Sequence, residues 1–343
     1  MHVSPEARCD EGTTRRAEVT CSVREDLGQT IRLDHFAFQL LLWYRRLATR
    51  TGTHVRNVLI LVFALTLAEW AQERAVDPTW LHRYVPDLSE AKIDMTTGTC
   101  HYKAIFGEGV PDKPILRSVV RFGEVTLDAH GTCGPVSYER QEELYFVMEG
   151  QGSLVLGDGT QSLRARDFSY LPPGVKHSLA NNSEKPLQVV IMSFTIPRSI
   201  QIGTPASQPR IANMDDLKEE TVQGHPASVL YKLLIGPRSG KRDAIDEAYV
   251  VTSLFWMNFA AGGTNFPHHH ENAEEIYLVI DGEGEMVAGG GMDGVEGRHP
   301  AKTGDAYYFR PNCTVGFYNK DKPEAKAHIL AVRSRIPQPE ASD

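Results

Sequence analysis

The stretch Pro267-His268-His269-His270-Glu271-Asn272-Ala273-Glu274-Glu275-Ile276-Tyr277-Leu278-Val279-Ile280-Asp281-Gly282 decides how this chain is read. Three histidines meet a pair of carboxylates, and an apolar run follows that ends at Gly282-Glu283-Gly284. Imidazole nitrogen and carboxylate oxygen are ordinary ligands of zinc, manganese, iron and nickel. On an extended strand alternate side chains share a face, so His268 and His270 point one way and His269 the other.

The same pattern occurs earlier. Glu142-Glu143-Leu144-Tyr145-Phe146-Val147-Met148-Glu149-Gly150-Gln151-Gly152 matches Glu274 to Gly284 position by position, 132 residues apart. A second pair of segments follows each copy. Arg166 to His177, then Asn181, corresponds to Gly304 to Val315, then Asn319, now 138 residues apart. The six extra residues fall in the Gly-rich stretch from Ala288 to Gly297, which reads as a lengthened hairpin loop. Strand-like runs flank both copies: Ser118 to Leu127 and Leu187 to Ile196, then Val250 to Ala260 and Ala327 to Val332. Two repeated units with alternating patterns and Gly/Pro turns predict an all-β chain of two small barrels or sandwiches.

At these residues the chain resembles the cupin superfamily, whose motifs are G-x5-H-x-H-x4-E-x6-G and G-x5-P-x-G-x2-H-x3-N. The second copy fits the first motif completely, with Gly262, His268, His270, Glu275 and Gly282. The resemblance covers roughly residues 116–335 and implies a bicupin, two tandem jelly-roll β-barrels. It also implies one divalent metal ion in the C-terminal barrel, with iron, manganese, zinc and nickel not distinguished, on His268, His270 and Glu275. The position due to carry a third histidine is Val315, and the P-x-G has become Arg310-Pro311-Asn312. In the first copy Glu143, Gly150, Pro172, Gly174, His177 and Asn181 fit, but the H-x-H positions fall on Val136 and Tyr138 and the second motif opens on Arg166. That copy is expected to be a scaffold in which Glu143 and His177 hydrogen-bond, with Tyr138 as a candidate partner. Glu274 is the alternative carboxylate in the second copy, and His299 the nearby histidine for a fourth ligand. Arg310 is the candidate substrate contact, because a guanidinium can clamp a carboxylate with two hydrogen bonds.

The rest of the chain sets bounds. It has 343 residues, 41% of them hydrophobic, and a formal net charge of −8. No basic block stands out in the body, which argues against a nucleic-acid partner. The expected partner is a small-molecule ligand or substrate, and the resemblance makes a homodimer plausible. The five cysteines, Cys9, Cys21, Cys100, Cys133 and Cys313, include no C-x-x-C pair, and free thiols are expected. Residues 1–54 form a poorly patterned leader in which His35 to Ala48 has the pattern of a short amphipathic helix. Residues 55–72 contain the apolar run Val58 to Ala68, too short for a stable membrane span but suited to a secretory signal with Arg56 before it. The native start would then be Val55, with 1–54 untranslated, and the protein exported or periplasmic. The alternative is a buried helix in a cytoplasmic protein. N-terminal sequencing of natively expressed protein decides between them: a mature start at Met1 removes the first reading. The remaining divisions are an N-terminal arm over 73–115, barrel 1 over 116–197, a linker over 198–247, barrel 2 over 248–335 and a tail over 336–343.

The function expected is a metal-dependent enzyme acting on a small polar organic molecule. The residues do not choose among dioxygenase, decarboxylase, isomerase and hydrolase chemistry. The rival is a non-catalytic bicupin that binds a sugar or other small ligand, or is structural, its metal site decayed.

Overall fold

The apolar runs at Leu144–Met148 and Ile276–Ile280 show little polar alternation because most of their side chains are buried, on either face of the strand. One face turns into a barrel and the other packs against the second barrel. The computed structural model describes residues 7–10, 20–24, 30–34, 78–111, 114–157, 159–204, 208–290 and 296–336. The signal-like segment 55–72, the His35 to Ala48 helix and nearly all of the tail 336–343 lie outside these.

Within Met1–Ala75, a unit of its own, strands β1 (Ala7–Asp10), β2 (Thr20–Arg24) and β3 (Thr30–Asp34) form an antiparallel sheet in that order. The unit Val76–Asp343 holds both barrels. The arm supplies β4 (Trp80–Tyr84), β5 (Glu90–Ala91) and β6 (Cys100–Gly107). The first repeat supplies β7 (Val119–Leu127), β8 (Gln141–Glu149), β9 (Gln151–Leu156), β10 (Gly159–Arg164), β11 (Asp167–Leu171), β12 (His177–Ala180) and β13 (Leu187–Thr195). The linker supplies β14 (Arg210–Asn213), β15 (Val229–Pro237) and β16 (Ile245–Ala248). The second repeat supplies β17 (Val251–Phe259), β18 (Ala273–Asp281), β19 (Glu283–Gly289), β20 (Glu296–Lys302), β21 (Asp305–Phe309), β22 (Thr314–Asn319) and β23 (Ala327–Arg335).

Each barrel is a seven-stranded sheet closed by a three-stranded one. Barrel 1 has the orders β14-β11-β8-β13-β7-β6-β5 and β10-β9-β12; barrel 2 has β16-β15-β17-β23-β18-β21-β4 and β20-β19-β22. The chain is thus a pair of tandem β-barrels with a repeated topology. Arm and linker are parts of the sheets. Strand β4 of the arm pairs with β21 of barrel 2, and β14 of the linker pairs with β11 of barrel 1. Each covers an edge that would otherwise present unpaired backbone groups. Barrel 1 also takes β6, and barrel 2 takes β15, from upstream of the repeats. Among the described residues the only helical pieces are two single 3-10 turns, Val85–Asp87 and Met214–Asp216, the second capped by the Asn213 side chain. No helix among them is long and apolar enough to cross a membrane.

Three cores follow from this plan. One lies inside barrel 1, with Tyr102, Val125, Leu154 and Leu179. One lies inside barrel 2, with Met257, Met286, Phe317 and Ile329. The third joins the barrels, where Phe146 stacks on Trp256 at 6.0 Å and Phe106 meets Tyr308 at 6.0 Å. The glycines ending the apolar runs are required. Gly150 and Gly282 have φ of +85° and +92°, and a Cβ there would lie 2.4 and 2.3 Å from the carbonyl oxygens of Pro186 and Lys326.

The expectation of free thiols is corrected at two positions. Cys100 and Cys133 form a disulfide that ties β6 to the loop between β7 and β8, while Cys313 is buried, its thiol donating to the Gly289 carbonyl at 3.3 Å. The two lie 33 residues apart without a diagnostic spacing; the strand register brings them together.

Candidate metal centre

Strand alternation sorts the paired glutamates of β18. Glu275 turns into barrel 2 and is 2% exposed, whereas Glu274 turns to the interface between barrels. Glu274 accepts hydrogen bonds from the backbone N–H groups of Arg117, Ser118 and Val119, from Ser118 Oγ at 2.6 Å and from the Tyr308 hydroxyl. Glu142 does the reciprocal job. It accepts from the N–H groups of Tyr249, Val250 and Val251 at 2.6, 2.9 and 2.8 Å, and from Tyr170. The alternative carboxylate of the sequence motif is therefore half of a two-way latch between barrels.

His268 and His270 precede β18. The His268 backbone pairs both ways with Val315, at 2.9 and 2.8 Å. Its Nδ1 lies 2.8 Å from the carbonyl oxygen of Phe266. A carbonyl only accepts, so Nδ1 carries the hydrogen and Nε2 offers its lone pair. Phe266 itself holds φ of +51°, a left-handed conformation costing roughly 1–2 kcal/mol in a residue other than glycine. The rings of His268 and His270 lie 5.0 Å apart at 80°. His270 Nε2 is 3.2 Å from Glu275 Oε2 and accepts a hydrogen bond from Arg333 at 3.0 Å. Ligand atoms of His268, His270 and Glu275 all lie within 4.8 Å of one another, the single such group of three among the described residues.

A cation fits this arrangement. The one lone pair of His270 Nε2 takes the Arg333 hydrogen bond, and 3.2 Å away Glu275 Oε2 is buried without a hydrogen-bond partner. A positive ion between them would replace Arg333 at the His270 lone pair and satisfy the carboxylate oxygen. Ligands at 2.0–2.2 Å from one ion sit about 3–3.5 Å apart, close to the spacing of the His270–Glu275 pair. Burial alone would raise the Glu275 carboxyl, but His270, Arg333 and His268 outweigh it and hold the group below the usual carboxylate range. Burial also pushes His268 down, toward the neutral form that ligates metal.

The group opens on a cavity of about 30 Å³ lined by His225, Tyr231, Arg242, His268, Glu275 and Arg333, with Tyr277 beside them. Arg333 also borders an open groove of about 460 Å³ outside, lined by His269, His270, Glu271 and Arg335 among others. The Tyr231 hydroxyl is buried without a partner, and burial pushes its pKa up, so it is a neutral O–H donor. Arg310 is not part of this lining. It donates to the carbonyl of Pro78 in the arm, so the arginines facing the cavity are Arg242 and Arg333. His299 lies against Trp80, ring centroids 4.4 Å apart, outside the group. Val315 is buried at the fourth position.

Barrel 1 presents a different interior. His177 Nε2 lies 3.1 Å from Glu143 and 2.8 Å from the Tyr145 hydroxyl. Tyr138 accepts from Arg121 and donates to Asp94, and is not a direct partner of Glu143 or His177. Arg121, 1% exposed, pairs with Glu108 at 2.6 Å and stands 3.8 Å from Glu143. Burial works against its charge; Tyr138, Glu143 and Glu108 outweigh that. In register, Ser193 opposes both Arg121 and Glu143, and Arg333 opposes both Ser253 and Glu275. The two barrels have exchanged an arginine and a serine between neighbouring strands, and each keeps a guanidinium beside its motif glutamate. Arg333 was readable from the repeat by carrying it through the last strand. Arg242, Tyr231 and His225 lie in the linker, where there is no repeat to read.

A Cupin domain model matches residues 123–193 and 255–332. Among solved structures, the protein Ylba from E. coli aligns with a TM-score of 0.57 at 15% identity, covering 80% of this chain and 98% of its own. The putative glyoxylate-induced protein from Pseudomonas aeruginosa aligns with a TM-score of 0.60 at 14% identity over 79% and 94%. The oxalate decarboxylase from Lactobacillus farciminis aligns at 0.55 and 12% identity over 77% and 88%. An uncharacterised protein of Methanocaldococcus jannaschii is 30% identical over 53 residues, 16% of this chain and 42% of that protein. At such identities the likenesses establish architecture. Two family matches, two barrels of repeated topology and the motif glycines at their turns agree: the chain carries two cupin domains, one in each barrel.

Proposed function

We propose that barrel 2 binds one divalent metal ion through His268, His270 and Glu275 and acts on a small, negatively charged organic molecule. The observation that carries this reading is the convergence of two imidazoles on one buried carboxylate, with ligand atoms of His268, His270 and Glu275 all within 4.8 Å of one another. A bound ion supplies Lewis acidity, polarising a carbonyl or activating water. The chain's own groups do the rest. Arg333 provides positive charge at the cavity, Arg242 being paired with Asp243 at 3.1 Å, and Arg333 borders the outer groove as well, where it meets an arriving anion. Tyr231 offers a hydrogen bond that no protein atom takes. Phe255 and Tyr277 wall the cavity and limit water.

The enclosed space is small, about 30 Å³, near what one or two waters occupy. This favours a compact substrate, and it keeps a second reading in play, a non-catalytic ligand-binding module. Elemental analysis of purified protein tests the first. About one iron, manganese, nickel or zinc per chain is expected, with the metal lost in the His268→Ala/His270→Ala double variant. Unchanged metal content in that variant ends the proposal. Absence of metal from the wild type after loading favours the second reading. We also propose export to an oxidising compartment, supported by the Cys100–Cys133 disulfide. Cell fractionation with a thiol count checks it: cytoplasmic protein with both thiols free refutes it.

A further inference from the structure

We infer that His225, from the inter-barrel linker, is a fourth ligand of the barrel 2 metal site and takes the place of the histidine missing at Val315. The inference rests on the metal reading above and extends it to a residue outside the repeated motif.

Four observations carry it. First, the rings of His225 and His268 lie 5.1 Å apart at 76°, while His268 and His270 lie 5.0 Å apart at 80°. The two ring pairs have the same spacing and tilt. Second, His225 lines the same cavity as His268 and Glu275. Third, His225 Nδ1 lies 2.8 Å from the carbonyl oxygen of Asn265. It therefore carries its hydrogen on Nδ1 and leaves the Nε2 lone pair for a ligand role, as His268 does through Phe266. Asn265 is itself fixed, 1% exposed, with its side chain bonded to the Tyr277 hydroxyl at 2.9 Å and to the Phe317 N–H at 2.8 Å. Fourth, the loop is shaped to aim the ring. The N–H of His225 bonds the carbonyl of Val222, and Gly224 between them has φ of +88°, the turn position that selects glycine. Ligand atoms of His268, His270 and Glu275 lie within 4.8 Å of one another, and His225, outside that cluster, is the other histidine lining the cavity.

The test uses the full chain, stripped of metal with a chelator and titrated with Zn(II) and Cu(II). Partners that only orient a ligand are worth about 10–100-fold in affinity, so loss of a direct ligand is expected to weaken Zn(II) binding by about 100-fold or more in His225→Ala. The Cu(II) electron paramagnetic resonance spectrum is expected to show one fewer coordinated nitrogen. His269→Ala, on the exposed neighbour, should change neither. Adding Val315→His to His225→Ala should recover affinity by returning an imidazole to the family position. Far-ultraviolet circular dichroism and melting confirm that each variant is folded, and His225→Gln serves if the alanine variant is not. The inference is overturned if His225→Ala binds Zn(II) within threefold of wild type with an unchanged Cu(II) spectrum while His268→Ala loses binding. That pattern leaves the metal reading standing; a wild type that binds no metal removes both.

Discussion

Glu142→Ala tests whether the two barrels are one cooperative body. The carboxylate of Glu142 comes from barrel 1 and accepts three consecutive backbone N–H groups of Tyr249 to Val251, where barrel 2 begins its β17 strand, plus the Tyr170 hydroxyl at 3.0 Å. Alanine leaves those donors without an acceptor at a dry interface, each buried orphan costing about 1–3 kcal/mol. Two effects reduce the sum: the cost of burying a carboxylate is recovered, and water entering the hole satisfies part of the set. The net expected loss is about 3–5 kcal/mol, near the low end of the summed cost of four stranded neutral donors. For a body of this size that corresponds to a fall in midpoint of roughly 6–20 °C. Glu274→Ala should behave alike, because Glu274 grips Arg117 to Val119 of barrel 1 in the same way. The assay is calorimetry and urea unfolding of the full chain in chelator, so that metal binding does not add to stability. Both barrels are expected to unfold in one transition in the wild type. A loss under about 1 kcal/mol, or two separate transitions for the two barrels in the wild type, would refute the latch.

Three further outcomes follow from other sites. His177 is pushed above its ordinary value: burial lowers it, but Glu143 and the Val175 carbonyl outweigh that. The proton is thus held more tightly folded than unfolded, so the stabilisation is complete below about pH 6.5 and is lost as pH rises through the folded value. The stability gap between wild type and His177→Asn should therefore shrink from pH 6 to about pH 9 in urea titrations; a gap that widens contradicts this. Cys100→Ser/Cys133→Ser removes a cross-link over a separation of 33 residues and should cost roughly 3–4 kcal/mol, read as the same loss on adding reductant to the wild type. Arg121→Met strands the buried Glu143 without its cation and should destabilise by about 3–5 kcal/mol, with no change in metal content, since the proposed ion sits in barrel 2.

The fold was legible because the motif positions with backbone duties recur in both halves. Asn181 donates to the carbonyls of Leu127, Asp128 and Lys185, and Asn319 to those of Phe259, Ala260 and Ala325, so each staples the same corner of its barrel. Even substituted positions keep their geometry. Arg166 stands where barrel 2 has Gly304 and holds φ of +70°, and Asn312 stands where barrel 1 has Gly174 and holds +64°. Local strain of this kind is invisible to a motif count, which sees only a missing glycine. The disulfide and the linker residues were illegible for another reason. Their neighbours are set by strand register and by a loop without a repeat, and neither leaves a spacing in the sequence.

The exchange of arginine and serine between β7 and β13, against β17 and β23, shows how one repeated plan holds two different interiors. A guanidinium beside the motif glutamate is common to both barrels. In barrel 1 it comes from β7, is sealed at 1% exposure and is held by Glu108 and Tyr138. The glutamate has a cation built into the chain, and His177 takes its other oxygen. In barrel 2 the guanidinium comes from β23 and engages His270 and Thr252, while one oxygen of the motif glutamate lacks a hydrogen-bond partner in each barrel, Oε1 of Glu143 and Oε2 of Glu275. The same charge placed one strand over thus faces one glutamate and one histidine in barrel 1, and a glutamate with two histidines in barrel 2. Moving it should move the property. Arg121→Ser/Ser193→Arg is expected to leave Glu143 and His177 facing an open interior in barrel 1, and Ser253→Arg/Arg333→Ser to seal barrel 2 and abolish its metal binding. Metal titration of the second variant decides the point: retained affinity would show that the position of the guanidinium does not govern the site.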